Sequence, residues 1–355
     1  MAEIELVVNG MRFGGWKAAR VTRSIESLAG SFALEVTDRW GDAAEPRAIQ
    51  DEDACRVEVD GVPVIDGYVD KPSISATKDG RSLSYTGRDR VAALVDNSAL
   101  LAKWTWRDVN IRDFATAVAA PFGIRVSVQA GLELAKVRKL VISPGDTGYE
   151  AIRRAAADQG MLCVSDGAGG VILTRASNAR ATALLEGVNI VAASFDRDNT
   201  DRYHRYVMPT HSAAADEGGG GMRVWAEAID EGVRRTDRVL LIRPDKGYDI
   251  ADARRRVDWE ARVRAARAEA VVVTVRGWRQ PTGALWPINV LTYVQAPQLV
   301  GVDGDMRVSQ VEYSISEAGQ LTTLRLVRPD AFTPEPKARV KAGGGGWKEL
   351  AKGGL

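Results

Sequence analysis

Apolar and polar residues alternate from Cys55 onward, with Cys55, Val57 and Val59 on one side and Arg56, Glu58 and Asp60 on the other. That period of two predicts a half-buried strand. Asp60-Gly61 follows it and predicts a tight hairpin, because both residue types tolerate the positive φ such a turn needs. Val62, Val64, Tyr68 and Val69 continue the apolar content, and Asp79-Gly80 marks a second turn. Leu83 and Tyr85 then alternate with Ser82, Ser84 and Thr86. Short strands at this spacing predict a small barrel or sandwich over residues 1–96.

The pattern changes over residues 97–176. Ile111, Phe114, Ala115 and Val118 form a helical stripe, with Asn110 placed to cap it and Pro121 and Gly123 to end it. Ile124 to Val128 reads as a strand. Thr147-Gly-Tyr-Glu150 is a capping box, in which each end residue satisfies a free backbone N–H of the other. A hairpin follows, Met161 to Val164 and Val171 to Thr174, turning at Asp166 to Gly170. These features predict a small α/β module.

Residues 177–212 return to strand character, and Ala213 to Gly221 reads as a loop. Val239 to Ile242 reads as a strand. Residues 249–270 predict a helix, with Val257, Ala261 and Ala265 on one stripe and Arg254, Arg255, Arg262 and Arg267 among Asp258, Glu260 and Glu269. Four apolar runs complete the β content: Val271–Val275, Val290–Val294, Met306–Ile315 and Leu321–Val327. The expected organisation is a β domain at 1–96, an α/β module at 97–176, and a second β domain at 177–212 and 275–332. A helix-containing insert at 213–274 splits the second, and a Pro- and Gly-rich tail occupies 333–355.

Length and composition narrow the function. A chain of 355 residues exceeds the size at which one core stops growing, so several domains are expected. With 48 Lys plus Arg against 47 Asp plus Glu, no bulk charge draws the chain to nucleic acid. Cys55 and Cys163 lie in no metal-ligand or disulfide spacing, which suits a reducing compartment. No secretory signal is expected at the N-terminus, nor a membrane-inserting segment of about 20 apolar residues.

Candidate chemistry is sparse. Two histidines, His204 and His211, share no catalytic spacing, and none of the hydrolase, protease or phosphate-loop motifs is present. Asp60, Asp66 and Asp79 each precede Gly and read as turn residues. Glu150 reads as a cap. The expectation is therefore no catalytic, cofactor-binding or metal-binding residue. Nine Trp are more telling. Trp104 with Trp106, Trp278 with Trp286, and Trp347 in the tail are candidate interface residues, with core packing or a free end as the alternatives.

One ordered set of motifs resembles a known family. Val57-Glu-Val-Asp-Gly-Val-Pro-Val-Ile-Asp-Gly-Tyr-Val-Asp70, Leu83-Ser-Tyr-Thr-Gly-Arg-Asp89 and Leu94-Val-Asp96 are similar to the signature of Mu-type phage baseplate hub proteins. Arg254 to Arg267, Gly277-Trp-Arg279 with Leu285-Trp286, Arg307 to Ser316, Leu321 to Leu326 and Pro329-Asp-Ala-Phe332 continue it in the expected order. The resemblance implies a mainly β fold with α+β insertions, built on two similar tube-type β-barrels. It implies a homotrimeric ring of pseudo-sixfold symmetry in the virion tail, assembled in the host cytoplasm. Its expected partners are the central spike protein, the tail tube or tube-initiator protein and other baseplate subunits.

A rival comes from Ser143-Pro-Gly-Asp-Thr147, which resembles the opening of a LysM module. It implies a peptidoglycan-binding or muralytic tail protein using residues 97–176. The arginines of 249–270 raise a third class, a nucleic-acid binder, which the interleaved carboxylates disfavour. No sequence-specific nucleic-acid contact is expected.

Overall fold

The structure, a computed structural model, describes residues 3–37, 49–77, 80–99, 101, 103–210, 224–244 and 249–336. The expected turn at Asp79, the loop at 213–221, His211 and Trp347 lie outside the described residues. Residues 1–197 with 269–334 form one compact unit, and 198–268 with 335–355 a second.

The first unit begins with β1 (Ile4–Val8), β2 (Met11–Phe13), β3 (Ala18–Ser24), β4 (Ser31–Thr37), β5 (Ala54–Val59), β6 (Val62–Thr77) and β7 (Gly80–Asp89). Asp60 and Gly61 join β5 to β6 with φ of 51° and 77°, as the primed hairpin turn requires. A 3₁₀ turn at Arg90–Ala92 and α1 (Ala93–Asp96) close this stretch.

The α/β module follows as β8 (Thr105–Asn110), α2 (Ile111–Ala119), β9 (Val126–Val128), β10 (Lys136–Val141), α3 (Gly148–Ala157), β11 (Leu162–Ser165) and β12 (Val171–Thr174). Asn110 caps α2 by accepting from the Asp113 N–H at 2.9 Å. Thr147 and Glu150 form the expected reciprocal box on α3, at 3.1 and 2.9 Å. The two helices pool Ile111, Phe114, Val118, Ile152 and Ala155 with Leu173 and Leu94 in a core of their own.

After β13 (Leu184–Leu185) and β14 (Ile190–Arg197), the chain leaves for the second unit. There β15 (Arg205–Thr210), β16 (Val224–Ile229) and β17 (Val239–Leu241) form a sheet in the order β16-β15-β17. α4 (Ile250–Arg267) packs on one face, bringing Ala253 and Val257 against Tyr206 and Met208. Ala261 joins that contact, whereas Ala265 is only half-buried and Val263 and Ala266 are buried instead.

The chain returns as β18 (Glu269–Arg276), β19 (Leu291–Ala296), β20 (Val302–Ser316), β21 (Gly319–Val327) and a 3₁₀ turn at Pro329–Phe332. These strands join the earlier ones in a single sheet, ordered β14-β18-β21-β20-β3-β4-β7-β6-β5-β1-β2, with β19 also on β20 and β13 on β19. This corrects the expectation of barrels. The path has free ends among the described residues and does not close. A strand edge can be satisfied by any strand of compatible register, and here β3 spends one edge on β20 rather than on closing its own half. The apolar face of both halves forms one core, from Ile4 and Val57 to Val273 and Leu326.

Replacing Thr147 by Ala removes the acceptor for the Glu150 N–H. The expected loss is about 1 kcal/mol of stability, read as a lower urea midpoint at unchanged m-value.

A candidate assembly interface

Three of the motifs that carry the resemblance, Val57 to Asp70, Leu83 to Asp89 and Leu94 to Asp96, meet in one place. Gly87 lies where a Cβ would overlap the Tyr68 carbonyl and the Phe32 ring, and a Cβ on Gly67 would overlap the Arg88 carbonyl. Only glycine permits the two strands to approach so closely. Arg88 reaches both Asp70, at 2.7 Å, and Asp96, at 2.8 Å. It therefore ties a bulge in β6 to the end of α1, and these two carboxylates raise its pKa.

Asp89 is the buried member of the group, 1% exposed. It accepts from the Val91 N–H, capping the 3₁₀ turn, and from the Ser165 hydroxyl in the α/β module. Burial pushes its carboxyl up to about 6, although the Ser165 hydroxyl, the Val91 N–H and the Arg23 charge oppose the shift.

The two halves of the sheet repeat each other strand for strand. β3-β4-β7-β6-β5 in the first matches β14-β18-β21-β20-β19 in the second. The register repeats too. The β6–β7 ladder passes over Asp70, between Val69↔Gly87 and Lys71↔Thr86. The β20–β21 ladder passes over Ser309, between Val308↔Leu326 and Gln310↔Arg325. Before each bulge a positive-φ residue donates its N–H: Glu52 (φ 65°) to the Val69 carbonyl, and Asn289 (φ 60°) to the Val308 carbonyl. Val69 and Val308 are thus equivalent, and so are Gly87 and Leu326.

The halves join where β20 meets β3, from Gln310↔Ser24 to Ile315↔Ala19. Tyr313 faces Val21 there, both buried, and Arg20 pairs with Glu312 at 3.2 Å.

The halves differ in one cleft of about 600 Å³. In the second half it is open, lined by Phe195, Arg197, Glu269, Asp303, Asp305 and Arg328 among others. Arg197 and Arg328 share Glu269, each at 2.9 Å. In the first half the matching position is occupied by the β11–β12 turn. Arg23 donates to the Ser165 carbonyl at 3.1 Å, and Gly167 sits so close to the Val64 carbonyl that a Cβ would crowd it.

The candidate tryptophans separate. Trp278 and Trp286 lie in the core, 2% and 3% exposed; the Trp278 indole donates to the Ser314 carbonyl and the Trp286 carbonyl accepts from the Tyr313 hydroxyl. Trp106 packs edge-on against Phe114 with Lys103 over its ring, and Trp104 is exposed. Apolar surface that the sequence reading missed lies on the second unit's sheet. Trp225, Ile229, Val239 and Leu241 are exposed, because on β16 and β17 only the alternate residues, such as Ala226, Ala228 and Leu240, pack into the core with α4.

Among the described residues the titratable groups near these surfaces are engaged in packing or pairing. The His204 ring nitrogen lies 2.9 Å from the Val233 carbonyl. Cys55 and Cys163 are buried, and burial pushes both thiols up to about 12. Among the described residues no cluster of His, Cys, Asp and Glu could hold a metal, and no helix is long and apolar enough to cross a membrane. In α4, Arg255 pairs with Asp252 and Arg256 and Arg264 share Glu260, so these cations are already engaged.

A repeated sheet carrying modules, with its distinctive residues spent on packing and ion pairs, defines a structural assembly subunit. Comparison with known proteins specifies the assembly. Residues 3–89 match the model of the N-terminal domain of Mu phage baseplate assembly protein GpP-like proteins. Residues 91–175 match the second domain of gp44-like baseplate hub proteins, and residues 249–335 the fourth domain of Mu phage baseplate assembly protein GpP. The chain is 28% identical to the baseplate hub protein gp44 of Escherichia phage Mu, over 90% of this chain and 86% of that one. It is 32% identical to the 43 kDa tail protein of prophage MuSo2 from Shewanella oneidensis, with a TM-score of 0.82 over 94% of this chain and 99% of that one. A tail protein from Neisseria meningitidis MC58 has the same fold, at 20% identity, a TM-score of 0.77 and coverage of 94% and 99%. The chain belongs to the Mu-type baseplate hub family and is a structural protein of the virion tail.

Asp89 makes a testable contribution to stability. Its folded pKa lies above the ordinary carboxylate value, so the folded state holds the extra proton. Its contribution is complete below about pH 4 and is lost as pH rises through about 6. Urea midpoints should record this loss, on the order of 1–3 kcal/mol, between pH 4 and 6. In Asp89→Asn the part of the slope due to this residue should vanish; an unchanged slope would place the titration elsewhere.

Proposed function

We propose that three copies of the chain close into a ring at the hub of a contractile phage-type tail and join the tail tube to the central spike. The observation that carries this reading is the internal repeat. Each chain holds one sheet whose two halves share a strand order, so three chains supply six similar halves. Such a ring offers six near-equivalent positions to a hexameric tube and three equivalent ones to a trimeric spike.

The partners in this reading are the chain itself as a homotrimer, the central spike protein, the tail tube or tube-initiator protein, and other baseplate subunits. Residues 1–96 supply the first tube-type domain, and 177–197 with 269–332, which hold β14 and β18 to β21, the second. The module at 97–176, the insert at 198–268 and the tail at 333–355 are additions to that ring. The role is mechanical rather than enzymatic, and assembly takes place in the host cytoplasm.

Light scattering on purified protein should give three times the 38.3 kDa chain mass, with rings in negative stain. A stable monomer at high concentration, with no rings, would sink the reading.

A further inference from the structure

Beside the internal junction, two strand segments that the repeat makes equivalent to its members have an edge with no partner among the described residues. β20 divides one edge between two partners: Val302 to Arg307 faces β19, and Gln310 to Ile315 faces β3. β6 follows the same course only in part. Val62 to Tyr68 faces β5, as the equivalent residues of β20 face β19. Beyond the bulge, Lys71 to Thr77 has a partner on β7 alone among the described residues. At the other end of the sheet, β14 is the counterpart of β3 and, among the described residues, pairs with β18 alone. The second half thus has an unpaired equivalent of β3, and the first half an unpaired equivalent of the β20 segment that receives it.

Resting on the ring reading above, we propose that β14 of one subunit pairs antiparallel with Lys71–Thr77 of β6 in its neighbour, in the register of the internal β3–β20 junction. The register follows from the repeat. Val308 and Val69 are equivalent, so Tyr313 corresponds to Ile74 and Gln310 to Lys71. Val21 opposes Phe32, which opposes Gly87; Phe195 opposes Val271, which opposes Leu326. Val21 therefore corresponds to Phe195. The buried internal pair Tyr313↔Val21 becomes Ile74↔Phe195 between subunits.

The exposure of these two residues supports the assignment. Ile74 is 63% exposed and Phe195 37% exposed, whereas their internal counterparts are 3% and 0% exposed. Cross-strand apolar pairs are the usual source of sheet stability, and large apolar side chains on an open edge invite such a partner. The remaining pairs suit a ladder. Ser75 would oppose Ser194, and Ser73 would oppose Asp196. The internal ion pair Arg20–Glu312 has no counterpart, because Ser194 and Ser73 take those positions. Pro72 takes the place of Val311 and lacks an N–H, so at most one donor is lost.

Cysteine pairs test the register directly. Both native cysteines are buried and should not compete. In the full-length double variant Ser75→Cys, Ser194→Cys, oxidation of the assembled protein should give covalent dimers and trimers on a non-reducing gel. Ser73→Cys with Ser194→Cys, two residues out of register, should give at least tenfold less. Phe195→Asp alone should shift the mass from trimer to monomer while its circular dichroism stays that of the folded chain. If the parent protein is trimeric but the in-register pair does not cross-link preferentially, the strand pairing is wrong and the ring reading survives. If the parent protein is monomeric, both are wrong.

Discussion

Backbone N–H and C=O groups along a strand edge must find partners, and the ladder between β20 and β3 is where this chain meets that demand across its greatest sequence distance. It fuses the two halves, merges their apolar faces into one core and fixes which edges remain open. The long strand β20 makes this possible. Its bulge at Ser309 lets one edge pass from β19 to β3 without ending the strand, because an extra residue turns the strand while pairing resumes on the far side. The equivalent bulge at Asp70 prepares the same handover in β6.

Around that frame, the recurring motif residues hold positions that packing dictates. Gly67 and Gly87 allow close strand approach, Arg88 binds bulge to helix through two carboxylates, and Asp89 gives up solvation to bridge a strand end, a 3₁₀ turn and the module hairpin. These residue types could suggest chemistry when read singly. Their partners show that the charges are consumed by one another, as in α4, where Glu260 holds both Arg256 and Arg264.

Much of this fold was legible in the chain. The alternation at Cys55–Val59, the turn at Asp60-Gly61, the caps at Asn110 and Thr147 and the hairpin at 161–174 each depend on neighbours in sequence, and each is present. Barrel closure was misread because it depends on which strand claims an edge, and β3 and β20 are too far apart in sequence for local patterning to link them. Trp278 and Trp286 illustrate the same limit: an indole at an interface and one in a core look alike until burial is known. The edge residues Ile74 and Phe195 were missed because each sits in an unremarkable strand. The signal lay in the matching of two halves whose side chains have diverged while their register has not.

The filled and open clefts have a consequence for symmetry. The turn at Ser165–Gly170 occupies the position beside Arg23, and nothing among the described residues of the first unit occupies its counterpart beside Arg197. Six halves arranged in a circle would therefore alternate between stoppered and vacant notches. A partner able to sense the notches would find three equivalent seats and not six, which would hold its rotational phase to one of three identical settings relative to whatever is stacked above.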